Sequence, residues 1–578
     1  MYAWKKIKEE IVANVNEVLG ENLAEADDLI VPPKPEFGDL GIALFSLAKK
    51  TGKTPNEVSE KILNGIKFNE TIIGAKAAGP YLNFFLDKKN LAKNVVAEID
   101  EEEEKFGRNK SGGKEKVVLE FSNVNTHKEY HVGHLRNICY GDAVTKILAA
   151  NGLEAIPISY VNDFGIHVAK ALWDYDAFIK EKLDGKNIET LPEAERGFLL
   201  GKMYVDASMK EKDNPMAAGM IGGWKQKIEE RTGKEFELWK KTRLWSIAQF
   251  DAIYRDLKVE FKDILYESEF IEQGRGKVQE LLKKGILRES QGAIIADLEQ
   301  YGLAVLVVAR SNGTATYAMA DLALAEEKHR RYKPSRSIYV TDVRQSLYFQ
   351  QLFKILELDG FKEQLVHLPY DFVKLTSGTM SSRTGNVITY MELKNDILAK
   401  CEAETRKRHD DWPEGKIKEN ALKIGLGAAK FEMLKVGAKS IITFDIDKAL
   451  ALEGFTSAYI QYAYARIQSI LRRIKNYELR IKNINFEKLS EEKEVALIKK
   501  LAVYPEIVEA AGKDYDPSAI AKYIYEVAQM LNDYYHAVPV LQAVEEEIKF
   551  ARLALLGSVA QIIKNGLNLL GIETVEEM

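Results

Sequence analysis

A pair of histidines around a glycine is the most informative chemical feature of the chain. The segment His131-Val132-Gly133-His134 follows an apolar run at 117–121 that predicts a buried strand, and it precedes a predicted helix at 135–150. A helix N-terminus offers free N–H groups and a partial positive charge, which suit phosphate. Imidazoles there hydrogen-bond phosphate oxygens as charge moves at phosphorus, and Gly133 lets a flat base approach the backbone. The pattern predicts a nucleotide site.

A second segment, from Thr376 to Asn386, consists mainly of small polar residues and carries a single cation, Arg383. Loops of this kind close over a bound triphosphate. By itself the segment is typical of an ordinary polar loop, and it gains meaning only beside the histidine pair.

The elements around these segments predict an α/β nucleotide-binding sheet. A strand at 117–121, a helix at 135–150 and a strand at 155–161 form a βαβ unit. A long and mostly helical stretch from about 173 to 285 interrupts this sheet. Further strand candidates lie at 303–309, 337–341 and 364–374.

The pattern along the chain divides it into four parts. We expect an N-terminal α+β domain at 1–90, a charged and Gly-containing linker at 91–115, and a Rossmann-like parallel-sheet catalytic domain at 116–420. From 421 to 578 the pattern is almost purely helical, which predicts an all-α helical bundle. The predicted fold class is therefore α/β with two appended domains.

Composition and charge exclude several classes of protein. The net charge of −5, from 82 Lys+Arg and 87 Asp+Glu, excludes binding of nucleic acid by bulk positive charge but not by a local basic surface. Two cysteines cannot form a four-thiolate zinc site or a disulfide framework, so we expect a reducing cytoplasm and no protein-bound zinc. No apolar stretch approaches the roughly 18 residues of a membrane helix, and the N-terminus is not a secretory signal. We therefore expect no membrane partner.

The early histidine pair and the late loop together resemble the two signature motifs of class I aminoacyl-tRNA synthetases. Further stretches narrow the resemblance to arginyl-tRNA synthetases, and the match spans nearly the whole chain. These stretches are Tyr317 to Asp321, Ile338 to Gln345, Val161 to His167, and the helical tail.

The resemblance implies a set of residues that hold ATP and stabilise the transition state. The usual class I loop is Lys-Met-Ser-Lys-Ser, and both lysines are missing in this chain. A lysine three residues before the first histidine is thought to substitute in many arginine enzymes, and Lys128 has that position. A pentacoordinate phosphorus needs a nearby cation. The implied catalytic residues are Lys128, His131, His134 and Arg383, and the implied ATP-binding residues are His131, Gly133, His134, Gln345, Met380 and Ser381.

The resemblance also implies a pocket for the substrate arginine. A guanidinium is planar and permanently charged, and a carboxylate grips it with two parallel hydrogen bonds. Asp321 is the residue we expect to determine this specificity, although family members usually carry Thr-Arg where this chain has Met319-Ala320. The implied arginine-binding residues are Glu120, Asn125, Glu267, Tyr317, Asp321 and Gln345.

The helical tail resembles the family's anticodon-binding domain, and the N-terminal unit resembles its tRNA-contacting domain. Aromatic rings and Arg planes stack on single-stranded bases, which is the usual way in which RNA loops are read. Most tyrosines of the tail are nevertheless typical of a core. The implied tRNA-binding residues are Asn83, Tyr459, Gln461, Tyr462, Arg466 and Tyr535.

The implied function is that of an arginine–tRNA ligase, which uses ATP with Mg²⁺ to activate L-arginine and then loads it onto tRNA(Arg). We expect a monomer. Three alternatives stay open: a class I lysyl-tRNA synthetase, a small-molecule nucleotidyltransferase, and a catalytically silent tRNA-binding paralogue. The nucleotidyltransferase leaves the helical tail unexplained, and the histidine pair with Lys128 argues against the silent paralogue.

Overall fold

The computed structural model describes residues 1–109, 112–311, 316–375, 388–474 and 484–578, and the predicted late loop with Met380, Ser381 and Arg383 lies outside these ranges. The N-terminal part is α+β, as predicted. It forms a four-stranded antiparallel sheet in the order β1-β2-β4-β3, flanked by three helices. Its elements are α1 (Ala3–Leu19), β1 (Leu29–Ile30), β2 (Leu40–Ala43), α2 (Leu44–Thr51), α3 (Pro55–Gly65), β3 (Ile72–Ala78) and β4 (Tyr81–Leu86).

The segment that we predicted as a linker begins inside a helix. Helix α4 (Lys88–Glu102) buries Leu91, Val95 and Ile99, because apolar residues recur on one side of it. The predicted charged stretch is therefore an irregular connection only after residue 105.

A five-stranded parallel sheet forms the centre of the molecule, which confirms the predicted fold class. Its strand order is β12-β11-β5-β6-β7, and each neighbouring pair is parallel. Strand β5 and the helix after it are the predicted βαβ unit, and the helix packs on the sheet. These elements are β5 (Lys116–Glu120), α5 (Val132–Ala150), β6 (Glu154–Val161), β7 (Asp263–Tyr266), β11 (Arg336–Asp342) and β12 (Gln364–Tyr370).

Helices fill the chain between β6 and β7, as the predicted insertion requires, but the insertion begins and ends earlier than expected. Strand β7 lies inside the range that we predicted to be helical. The helices of this insertion are α6 (Ile166–Trp173), α7 (Tyr175–Lys182), α8 (Glu193–Asp213), α9 (Ala217–Glu229) and α10 (Gly233–Asp256).

The predicted strand at 303–309 exists but does not belong to the main sheet. Its residues Leu306–Ala309 form β10, which pairs antiparallel with β9 (Ala293–Ala296), and β9 pairs with β8 (Arg288–Ser290). This small sheet lies between α11 (Glu267–Lys283) and α12 (Tyr317–Tyr332) in the sequence, and α13 (Ser346–Leu358) follows β11.

The C-terminal part is helical with one short exception. Strand β14 (Ile442–Phe444) pairs in parallel with β13 (Val373–Leu375), which joins the helical part to the catalytic part. The helices are α14 (Tyr390–Arg408), α15 (Glu414–Leu434), α16 (Ile446–Ala449), α17 (Ser457–Arg472), α18 (Glu492–Ala502), α19 (Tyr504–Asp514), α20 (Pro517–Ala537) and α21 (Glu546–Leu569). Within the described ranges, no helix has the length and apolarity that crossing a bilayer requires.

Helix α5 lies close to the end of β5 at Gly141. A side chain at this position would overlap the ring of Phe121, which follows β5. This close approach packs the middle of α5 against Phe121, and it helps to fix the helix whose N-terminus carries the histidine pair.

We predict that Gly141→Ala destabilises the protein by about 1–3 kcal/mol, because a Cβ forces Phe121 and the helix apart. Differential scanning calorimetry measures this as a lower midpoint of thermal unfolding. Gly276→Ala is the matched control, since a Cβ at this position of α11 meets no atom within 4 Å. We expect it to be neutral or to stabilise by up to about 1 kcal/mol. Equal midpoints for both variants would contradict the packing argument.

Candidate active site

The candidate site lies where the strand order of the parallel sheet reverses. The chain continues from β5 through β6 to β7 in one direction, and from β11 to β12 in the other. Open α/β sheets bind ligands in the crevice at the carboxyl ends of such neighbouring strands. The segment with the histidine pair follows β5, and Gln345 lies just after β11, so both predicted contacts are at this edge.

The histidine pair caps helix α5. His131 is the N-cap residue, and its Nδ1 accepts a hydrogen bond from the Gly133 N–H at 3.1 Å. His134 Nδ1 accepts from the His131 N–H at 3.2 Å, and the two rings stack with centroids 3.8 Å apart. A Cβ on Gly133 would contact the His131 ring at 2.9 Å, so the glycine is needed for this arrangement as well as for access to the backbone.

Both imidazoles are neutral at physiological pH. Burial, together with the nearby Lys128 ammonium, lowers the pKa of His131 to about 4. Burial and the neighbouring His131 hold the pKa of His134 well below its usual value. Since both Nδ1 atoms accept backbone hydrogen bonds, each ring carries its proton on Nε2 and donates from there. The pair therefore offers two hydrogen-bond donors to a phosphate, and no positive charge.

The positive charge beside the histidines comes from Lys128. Its Nζ lies 5.0 Å from the centroid of the Tyr204 ring on α8. The residue before it, His127, has a left-handed backbone with φ 57° and is anchored to α10. Its N–H donates to Ser246 Oγ at 3.0 Å, and its Nε2 lies 2.8 Å from Thr242 Oγ1. The helical insertion thus positions the segment that carries Lys128.

The chain returning from the predicted late loop is joined to the histidine segment by backbone hydrogen bonds. The Val132 N–H donates to the Ile388 carbonyl at 3.2 Å, and the Tyr390 N–H donates to the Tyr130 carbonyl at 2.7 Å. Residues 388–390, just after the loop segment, are therefore attached next to the histidine pair, and Met380, Ser381 and Arg383 lie outside the described residues.

Two carboxyl groups from different helices, one buried and one half-buried, form the centre of an acidic pocket. Glu267 is the first residue of α11 and is 6% exposed, and its Oε2 has no hydrogen-bond partner among the described residues. Asp321, in the second turn of α12, accepts a hydrogen bond from the Tyr348 hydroxyl on α13. A buried carboxylate oxygen that lacks a partner is costly, so this pocket suits a ligand that brings hydrogen-bond donors and positive charge.

Burial and neighbouring negative charges raise the pKa values of both carboxyl groups. Burial raises the pKa of Glu267 to about 8, and the Asp321 charge adds to the effect. Burial also raises the pKa of Asp321 to about 7, against the hydrogen bond from Tyr348, and Glu120 raises it further. Withdrawing like charges from water together favours protonation of the empty pocket.

Asp163, after β6, holds Glu267 in place. Its Oδ1 accepts from the Ser268 N–H at 2.9 Å and its Oδ2 accepts from the Ser268 hydroxyl at 2.8 Å, so it caps the start of α11. Arg243 of α10 pairs with the same carboxylate at 2.5 Å. The insertion therefore fixes the acidic pocket as well as the histidine segment.

Glu120 ends β5 and lies deeper than the sequence suggests. Its Oε2 pairs with the Lys328 ammonium of α12 at 2.6 Å, and its Oε1 accepts from Asn123 Nδ2 at 2.9 Å. The Lys328 ammonium also lies 3.7 Å from the centroid of the Tyr339 ring. Glu120 is thus part of a buried ion pair at the base of the crevice.

The other predicted arginine-binding residues surround the crevice. Asn125 is half-buried and bridges to Asn162 of the next loop. Tyr317 begins α12 and is 60% exposed, and Gln345 is exposed in the turn after β11. Asp321 therefore lies close enough to Glu120 and Glu267 for their charges to interact. Asn125, Tyr317 and Gln345 lie on the strand and helix ends around them.

Four of the six predicted RNA-binding residues meet in one pocket of the helical part. Tyr459, Tyr462 and Arg466 of α17 face Tyr535 of α20, and the Arg466 guanidinium lies 4.5 Å from the centroid of the Tyr535 ring. The other two are buried. Gln461 is fully buried and donates to the Glu573 carbonyl at 2.7 Å, and Asn83 is 4% exposed within β4.

Sequence reasoning missed three residues that position the site: Asp163, Lys328 and Tyr348. Asp163 lies in the stretch Val161 to His167, which we had singled out without assigning it a role. Lys328 and Tyr348 carried no sequence signal, because each resembles an ordinary polar residue of an amphipathic helix. Among the described residues, no three His, Cys, Asp or Glu side chains are arranged to hold a metal ion.

We predict that binding of L-arginine releases about one proton near pH 7.5, because a guanidinium lowers the raised pKa values of Glu267 and Asp321. Affinity should fall as the pH is lowered from about 8 to 6. Isothermal titration calorimetry in buffers of different ionisation enthalpy measures both effects. Asp321→Asn should reduce the release, and Glu272→Gln, on the exposed side of α11, should leave it unchanged. Binding without proton release would contradict the assignment of the pocket.

Comparisons with known proteins agree along the whole chain. The family model "tRNA synthetases class I (R), catalytic domain" matches residues 95–445. The "Arginyl tRNA synthetase N terminal domain" model matches residues 5–86, and the "DALR anticodon binding domain" model matches residues 460–578. These three models fall on the α+β part, the parallel-sheet part and the helical part.

Curated relatives and solved structures extend the agreement. The arginine–tRNA ligase of Bdellovibrio bacteriovorus is 34% identical over 95% of this chain and 94% of its own, and that of Clostridium perfringens is 34% identical over 99% and 100%. The structure of Thermus thermophilus arginyl-tRNA synthetase superposes with a TM-score of 0.81 at 27% identity, with full coverage of both chains. The chain belongs to the class I arginyl-tRNA synthetase family.

Proposed function

We propose that the protein is an arginine–tRNA ligase, which forms arginyl-adenylate from L-arginine and ATP and transfers the arginyl group to the 3′ end of tRNA(Arg). The observation that supports this most directly is the pocket of Glu267 and Asp321 beside the capped N-terminus of α5. A cation-binding pocket next to a phosphate-binding helix end suits a substrate that is positively charged at one end and reacts with ATP at the other.

The charge of the pocket explains the preference for arginine. Two carboxyl groups reach the pocket from α11 and α12, so they accept hydrogen bonds from different sides of a guanidinium, which presents five donors in one plane. An ammonium carries its three donors on a single nitrogen, so it would leave some of the carboxylate oxygens from α11 and α12 without a hydrogen bond. A site built for such a group rejects analogues that lack it by factors of about 10⁴–10⁵, so a separate editing reaction is not required.

Activation requires positioning and electrostatic stabilisation, and no nucleophilic side chain. With the guanidinium on Glu267 and Asp321, and the α-amino and carboxylate groups near Glu120 and Asn125, the carboxylate points toward the nucleotide. One of its oxygens attacks the α-phosphorus in line, the bond to the bridging oxygen breaks, and pyrophosphate leaves. Mg²⁺ accompanies ATP as part of the substrate and neutralises phosphate charge.

The histidine pair and Lys128 are proposed to stabilise the transition state in different ways. His131 and His134 donate neutral hydrogen bonds from Nε2, which orient the phosphate oxygens. Lys128 supplies the positive charge as negative charge grows on the equatorial oxygens. Arg383 and the rest of the late loop, with Met380 and Ser381, are proposed to approach from the other side.

The helical part is proposed to bind the anticodon of the tRNA. Tyr459, Tyr462, Arg466 and Tyr535 offer aromatic faces and a guanidinium to bases that have left the stack. Gln461 is buried and is proposed to support this surface by fixing the C-terminal tail. The second step transfers the arginyl group to the 2′-hydroxyl of the terminal adenosine and releases AMP.

The function is tested by ATP–pyrophosphate exchange with each amino acid, with and without tRNA. We expect exchange only with L-arginine and only when tRNA(Arg) is present. Exchange driven by lysine would favour the lysine enzyme. A lack of exchange with arginine and cognate tRNA, together with intact tRNA binding, would favour the silent paralogue.

A second prediction concerns Lys128. Lys128→Met should lower kcat by about 10²–10³, with KM for arginine and ATP changed less than about threefold, because the charge acts on the transition state. Steady-state aminoacylation measures this change. Lys170→Met is the control, since the Lys170 ammonium also lies over the Tyr204 ring, at 5.8 Å, and pairs with Glu211. A loss of similar size in the control would show that the Tyr204 contact, and not the reaction, explains the effect.

A further inference from the structure

Lys328 is a buried cation at the base of the arginine pocket. Its side chain is 1% exposed, and its ion-pair partner Glu120 is 3% exposed. Lys328 lies seven residues after Asp321 on α12, about 10 Å along the helix, and on the side that faces the sheet. Burial alone would lower the pKa of this ammonium, but Glu120 and Tyr339 hold it above its usual value. The lysine is therefore charged.

The groups that face this cation are mostly acidic. Glu120 approaches from β5 and Asp321 from α12, and Glu267 of α11 interacts with Asp321. Further charged groups that act on Glu267 are Asp163, Lys225 and Glu229. Four tyrosine hydroxyls also surround the pocket, those of Tyr160, Tyr317, Tyr339 and Tyr348. Of these groups, Lys328 is the cation in direct contact with Glu120.

We propose that Lys328 sets the charge of the arginine pocket: its ammonium pairs with the Glu120 carboxylate at 2.6 Å, and this compensation lowers the cost of ionising Asp321 when arginine enters. Lys328 is thus a positioning residue for substrate selection, although it is too deep to contact the guanidinium. This inference rests on the proposed function and adds a determinant of specificity to it.

The reasoning follows from burying like charges. Without the ammonium, the Glu120 charge would act on Asp321 uncompensated, and Asp321 would hold its proton to a higher pH. Arginine would have to displace that proton, so tight binding would require a higher pH.

The test is the pH dependence of KM for arginine, measured by aminoacylation between pH 6 and 9. In the unmodified protein KM should rise as the pH falls through about 7. In Lys328→Met this midpoint should move up by about one unit, and KM at pH 7 should rise about fivefold. KM for ATP should change less than about threefold. Lys328→Arg should restore most of the normal profile.

A second variant should shift the pH midpoint of KM in the opposite direction. Its result does not depend on whether Lys328→Met folds. Glu120→Gln leaves Lys328 without its carboxylate, so the uncompensated ammonium stabilises ionised Asp321 and the midpoint should move down. An upward shift in Glu120→Gln, or an unchanged midpoint in both variants, would overturn the inference.

Lys277→Met is the matched control for loss of a buried lysine. Lys277 pairs with Asp359, Glu326 and Glu280 and lies about 15 Å along α11 from Glu267. It should lower the unfolding temperature and leave the midpoint unchanged. A shift of equal size in this control would assign the effect to general destabilisation. Absence of arginine charging by the unmodified protein would instead refute the proposed function.

Discussion

The cost of burying negative charge is the constraint on which the catalytic part depends. Glu120 and Glu267 are buried, and Asp321 is half-buried, at one edge of the sheet. A carboxylate withdrawn from water needs a cation or hydrogen-bond donors. The Lys328 ammonium forms an ion pair with Glu120, and the Tyr348 hydroxyl donates a hydrogen bond to Asp321. The remaining oxygen of Glu267 has no partner in the described part of the chain. Because the carboxylate oxygens of the pocket outnumber the hydrogen-bond donors around them, the pocket suits a guanidinium.

Other parts of the fold support that arrangement. The reversal of strand order places the ends of β5 and β11 side by side, and the register pairs Glu120 with Tyr339. Helix α10 of the insertion anchors both halves of the site, through His127 on the nucleotide side and through Asp163 on the acidic side. A segment that looks like a peripheral insertion in the sequence therefore supports both of the proposed substrate sites.

Local patterns predicted those features that depend on neighbours in the sequence. The βαβ unit of β5, α5 and β6 was predictable because a buried strand and an amphipathic helix each leave a periodic trace. Strand β7 was missed because four residues between long helices show no alternation. The run at 303–309 revealed a strand but not its partner, since pairing is decided by tertiary contacts. The residues of the candidate site were predicted from the resemblance to arginyl-tRNA synthetases. They include Glu267 and Asp321, which the structure brings together.

What could not be predicted depends on contacts between distant residues. Lys328 is 208 residues from Glu120 in the sequence, and no local pattern separates it from a solvated lysine. Gln461 resembled a base contact because it lies among tyrosines, yet its side chain points inward and holds the C-terminal tail. A polar residue on a helix has the same local sequence whether it faces solvent or the interior.

The neutral histidine pair has a consequence for how the enzyme responds to acid. The pKa values of His131 and His134 lie far below neutrality, so the nucleotide half of the site keeps the same charge across the physiological range. The pKa values of Glu267 and Asp321 lie within that range, so the amino-acid half does not. We therefore expect a proton to compete with arginine, because it would occupy the carboxyl groups proposed to bind the guanidinium, and we expect it to leave ATP binding at the proposed nucleotide site unchanged.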